Sequence, residues 1–152
     1  MRTHSGSRLI KAPPHAIYRA FLDPEAVAAW RPPRGMTAKV HVFEPRASGT
    51  FRMAFVHDKP GEGVRGKTSE DADVFEGHFA ELVPDSRIVE VVRFETDDPA
   101  FAGEMTLTTS LAPTRQGTLV TVVAENVPRG ISAADHAAGI ASSLANLAAF
   151  TE

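Results

Sequence analysis

The chain has 152 residues, 16 Lys and Arg against 19 Asp and Glu, and no cysteine. That length suits one domain, residues 1–152, with a core of its own. The scattered, nearly balanced charge leaves no basic footprint for nucleic acid or an anionic membrane, and the missing thiols exclude disulfides, thiolate metal sites and cysteine nucleophiles. No window reaches the roughly 18 apolar residues of a spanning helix, and Met1–Ser7 lacks the apolar centre of a signal peptide, so a cytoplasmic location is expected.

In chain order, Arg8–Ala12 reads as a first strand, stopped by Pro13 and Pro14. Prolines suit the first turn of a helix, where a missing N–H has no partner to lose, and Ile17 with Phe21 gives that helix an inward face. Asp23 before Pro24 and Glu25 starts a second helix with an oxygen acceptor, a preset φ and an acid at the positive end of the dipole. Val27 and Trp30 form its buried side, and Pro32, Pro33 and Gly35 end it. Lys39–Glu44, Thr50–His57, Asp73–Val83, Arg87–Glu95, Glu104–Leu111 and Thr118–Glu125 then read as strands. They are joined by connections too short for parallel crossovers, apart from one long polar loop.

Ile131–Phe150 reads as one amphipathic helix, capped by Ser132 with Asp135 three residues on. His136, Gly139, Ile140, Ser143, Leu144, Leu147 and Phe150 share one face, and Ala134, Ala138, Ala141, Ala145 and Ala149 the other. A packed face normally carries larger apolar groups than a histidine, a glycine and a serine, which points to a space not wholly filled by side chains. The order of strand, two short helices, six strands and a long helix is satisfied by an α+β fold. In it, a curved antiparallel sheet of about seven strands wraps around the C-terminal helix.

Gly61–Thr68 fits the phosphate-loop pattern letter for letter, but acidic residues and a strand follow where a helix is needed, so a solvated loop is the better reading. The six histidines show no metal-binding spacing, and no metal or other cofactor is expected. His136, inward on the last helix, reads first as a hydrogen-bonded core residue and second as a ligand contact or catalytic group. Glu90 shares a strand face with Ile88, Val92 and Phe94. If that face is inward, its carboxylate enters the core with acid-base or ligand-orienting use, and a cross-strand pairing with Glu76 and His78 then depends on register. Trp30, Phe51, Met53, Phe55, Phe94, Met105 and Leu107 are the apolar set expected to line the space, with Ile140 and Leu144 contributed by the helix. No nucleophile elbow or carboxylate pair supports an enzyme assignment.

Val74-Phe75-Glu76-Gly77, Glu81-Leu82-Val83-Pro84, Arg87-Ile88-Val89, Gly103-Glu104-Met105-Thr106, Gly117-Thr118-Leu119-Val120-Thr121 and Ser143-Leu144-Ala145-Asn146-Leu147, in this order, give the chain its family likeness. It resembles the START-like superfamily, and within it the branch similar to the activator of the ninety-kilodalton heat-shock chaperone ATPase. The resemblance implies a helix-grip fold with a cavity for apolar or amphipathic small molecules. Members of that branch usually carry a tryptophan where Ile140 stands, and its loss reshapes the implied cavity. Ligand binding without chemistry is the leading expectation, ahead of a cyclase- or hydrolase-type enzyme acting on a cyclic or polyketide-like substrate, and of a protein-interaction module. Chaperone binding is not expected from so short a chain, and the alanine-rich back of the last helix is a candidate homodimer contact.

Overall fold

Two prolines end the first strand and open the first helix, and from that corner the chain lays down every remaining strand before the last helix. The structure, a computed structural model, describes residues 2–58 and 72–152. Strand β1 (Thr3–Ile10) is followed by helices α1 (Pro14–Leu22) and α2 (Pro24–Trp30). Strands β2 (Met36–Phe43), β3 (Thr50–His57), β4 (Ala72–Val83), β5 (Arg87–Phe94), β6 (Met105–Thr114) and β7 (Gly117–Glu125) come next, followed by helix α3 (Ala133–Thr151). The Asp23 side chain accepts from the Glu25 and Ala26 amides, and Ser132 from the Asp135 amide, so both caps form where acceptors precede a helical run. Gly61–Thr68 lies outside the described residues.

All neighbouring strands are antiparallel in the order β1-β7-β6-β5-β4-β3-β2, and α3 packs on one face of this sheet: the α+β helix-grip arrangement that the order of elements predicts. The first strand begins earlier than Arg8 and ends at Ile10. Thr3–Ser7 is polar and small, and it is recruited through backbone pairing with β7, from Thr3 opposite Glu125 to Ile10 opposite Thr118. Hydrophobic pattern does not report that kind of strand.

Directly paired residues share a face. One inner row therefore runs Phe79, Glu90, Leu107, Ala124, His4, and the next runs Leu82, Ile88, Thr109, Val122, Gly6. The main core joins Ile17, Phe21, Val27 and Trp30 of the short helices to Phe51, Met53, Phe79 and Ile88 of the sheet and to Ile140, Leu144 and Leu147 of α3. A smaller cluster of Met105, Ala124, Val127 and Ile131 sits beneath the start of α3, and Phe94 and Leu107 pack against both.

Helix α3 is held on two flanks. On one it lies along β1, where a Cβ added at Gly6 would stand 2.8 Å from Ile140 Cγ2. On the other it grips the connection from α2 to β2. Ser143 Oγ donates to the Arg31 carbonyl at 2.7 Å, Asn146 Nδ2 to the Pro32 carbonyl at 3.0 Å, and Ser142 Oγ accepts from the Arg34 amide at 2.8 Å. Phe150, expected on the buried face, is 49% exposed. The buried stripe advances through Ile140, Leu144, Leu147 and Ala148. Two successive steps of three from Leu144 rotate Phe150 about 120° away from Leu144, off that stripe.

Candidate functional site

Beneath the middle of α3 the sheet presents a carboxylate where its neighbours on either side, Phe79 and Leu107, are apolar. Glu90 is 1% exposed, so the inward register is the real one. Its two oxygens accept from the Arg31 guanidinium at 2.7 and 3.0 Å, in the fork geometry that arginine offers a carboxylate. Arg31 follows the last turn of α2, and its backbone carbonyl is the one that Ser143 holds, so α3 and the ion pair are fixed through one residue. An inward serine on α3 is thus explained by this bond. Arg31 had a signal in sequence: a buried carboxylate requires a cation, and this one interrupts the apolar run that ends α2.

Along the concave face some inward apolar side chains are not fully covered. Phe55, Phe94, Leu107 and Val122 are half-buried, whereas Phe51, Met53, Phe75 and Met105 deeper in the same face are buried. The helix residue nearest in character is Gly139, also half-buried, where an added Cβ would meet nothing within 4 Å. Ile140 and Leu144 are buried on the other side of that helix turn. Trp30 belongs to a different place. Its indole N–H donates to the Ala20 carbonyl at 2.8 Å and its ring lies 4.7 Å from that of Phe21, which makes it the joint between α1 and α2.

His136 is half-buried, and its Nδ1 lies 2.7 Å from Nδ1 of His4 on β1. The structure does not bring it to Glu90: His4 and Glu90 occupy one row three strand spacings apart, about 14 Å. Nor do Glu76 and His78 pair with Glu90. They project from the opposite, convex face, where Glu76 accepts from Arg93 and holds that guanidinium's pKa above its ordinary value through the hydrogen bond and the charge. The bulge between Phe79 and Glu81 leaves this alternation intact up to Phe79, so the two faces never mix. Among the described residues no three His, Cys, Asp or Glu stand close enough to hold a metal, and no helix is long and apolar enough to cross a membrane.

Two depressions open on the outside of the molecule. One, of about 510 Å³, lies between α2, Pro32–Thr37 and the end of α3 with the exposed Phe150. The other, of about 430 Å³, lies on the convex face around Arg52, Glu76, His78 and Arg93.

A seven-stranded antiparallel sheet gripping a C-terminal helix, with two short helices after the first strand, defines the START-like class. The model of one family within it, described as activator of Hsp90 ATPase homolog 1-like protein, matches residues 11–152, and the chain belongs to that family. A protein of Chromobacterium violaceum is 35% identical over 100% of this chain and 99% of its own, with a TM-score of 0.86. A Rhodobacter sphaeroides protein is 20% identical over 97% and 90% (TM-score 0.78), and an AHSA1-like protein of Aeromonas hydrophila 16% identical over 98% and 91% (TM-score 0.71); these two share the fold. No curated protein matches the chain.

Proposed function

We propose that this protein binds one small apolar or amphipathic molecule between the concave face of the sheet and α3. The observation that carries the reading is the uneven covering of that face. Phe55, Phe94, Leu107 and Val122 point inward yet stay partly open, and the helix that covers this face carries a half-buried glycine, Gly139, at which an added Cβ would meet nothing within 4 Å. Four partly exposed apolar side chains in one concavity favour an apolar occupant that removes them from water, at about 25 cal/mol per Å². Arg31 and Glu90 would stand at the deep end of such an occupant and orient a hydrogen-bonding group, Arg31 through donors that Glu90 does not use. With both carboxylate oxygens on the guanidinium and His136 on another histidine, the two candidate catalytic groups have positioning partners and no shared reacting atom.

Native mass spectrometry of gently purified protein tests this. A retained mass of a few hundred daltons, one per chain and lost on Gly139→Leu while the fold persists, is the expected result. A clean chain mass, together with no change in melting temperature across a panel of fatty acids, sterols and aromatic acids, would sink the proposal.

A further inference from the structure

The contact between His4 and His136 is chemically unusual. Two imidazoles from elements 132 positions apart in sequence aim the same ring nitrogen at each other, 2.7 Å apart, with ring planes at 70°. Such a contact exists only while one Nδ1 carries a proton and the other does not. The rings are set by backbone on both sides. Arg2, next to β1, donates from its guanidinium to the carbonyls of Pro128 and Ile131 ahead of α3, and the Val127 amide donates to the Arg2 carbonyl at 3.1 Å. One turn further along, Gly6 and Ile140 lock the same strand and helix together. Asp135 is the acidic residue in that first turn of α3.

We infer that His4 and His136 form a two-imidazole site for a divalent transition cation of the zinc, nickel or copper type. In a neutral pair the Nδ1 proton of the donor ring moves to its own Nε2, leaving two Nδ1 lone pairs converging on one point. The ion takes both with no net loss of protons. Bond lengths of about 2.0–2.1 Å at a tetrahedral angle require the nitrogens to stand about 3.3 Å apart, so binding must draw the two rings apart by about 0.6 Å. Both rings are half-buried, so water or an exogenous donor completes the shell on the exposed side. With two protein ligands the ion is exchangeable, and affinity follows the usual divalent order with copper tightest and magnesium absent. Spacing rules could not find this site, because its two ligands lie at opposite ends of the chain.

The test is isothermal titration of chelator-treated protein with zinc, nickel, copper and magnesium chlorides. One equivalent of each transition ion and none of magnesium is expected. His4→Gln and His136→Gln, each removing one of two protein ligands, should each weaken binding by about a hundredfold or more, since even an outer-shell partner costs up to that, while His15→Gln, His41→Gln, His57→Gln and His78→Gln leave it unchanged. Circular dichroism without metal checks that the variants fold. X-ray absorption on zinc-loaded wild-type protein needs no variant: two imidazoles per ion supports the site. A count of none or one, the absence of saturable binding, or binding that survives both substitutions overturns it.

Discussion

Gly6 and Gly139 stand on two sides of the same helix and serve opposite ends. At Gly6 the missing side chain lets α3 lie directly on β1, with Ile140 filling the volume a Cβ would take. At Gly139 nothing fills the vacated volume, and the position faces open space although it is half-buried. One glycine closes the molecule and the other leaves it open. The helix is thus in close contact with β1 at Gly6, while Phe94 and Leu107, on β5 and β6 of the same sheet face, stay half-covered. A helix that grips a sheet need not seal it, and residue size on two adjacent turns decides which flank is sealed.

The largest effect should come from the far flank, where Arg31 carries both the ion pair and the carbonyl held by Ser143. Arg31→Ala or Glu90→Ala leaves one buried charge without its partner and should destabilise by about 3–5 kcal/mol in urea denaturation, while Arg31→Met with Glu90→Leu recovers most of that. Little loss in either single variant would mean that α3 is held without the pair. Gly6→Ala forces a contact of 2.8 Å onto Ile140 and should destabilise by about 1–3 kcal/mol, with the loss abolished in an Ile140→Ala background. Gly139→Ala meets no neighbour and replaces the poorest ordinary helix former with the best, so it should stabilise by about 1 kcal/mol. Equal and opposite shifts from the two alanines would sharpen the contrast between the flanks; a loss at both would erase it.

The smallest effect is on pH. Burial, and then the negative charge of Asp85, push the Tyr18 phenol above its ordinary value. A raised value means that the neutral phenol contributes stability below about pH 10, and that this is lost as pH rises toward the folded-state value. The alkaline decline in melting temperature should therefore be shallower in Tyr18→Phe.

The architecture was largely legible because its signals are local. Pro13-Pro14, Asp23-Pro24, the alternation of Phe51, Met53 and Phe55 and the Ser132 cap each act over a few residues, and six of the seven strands sit within three residues of where these patterns place them. β1 was displaced because a polar edge strand is held by its partner's backbone and leaves no hydrophobic trace. The site was legible only by halves. Glu90 and His136 could be singled out as polar groups on apolar faces, but Arg31 and His4, which complete them, are 59 and 132 positions away. Pairing across such distances is written in register, and neither Glu76 nor His78 could be assigned a face until β4 and β5 were aligned.

The position of β1 has a consequence for how the chain is made. It precedes every other described element in the chain, yet its strand partner is β7 and its covering helix is α3, both more than a hundred residues downstream. Contacts of such long sequence separation form late, after a large loop has closed. During synthesis β2 to β6 can pair hairpin by hairpin, while Thr3–Ile10 waits as an unpaired edge with Leu9 and Ile10 uncovered. The fold is completed only when β1 meets β7 and α3, so until then the earliest of these strands is the edge most exposed to aggregation.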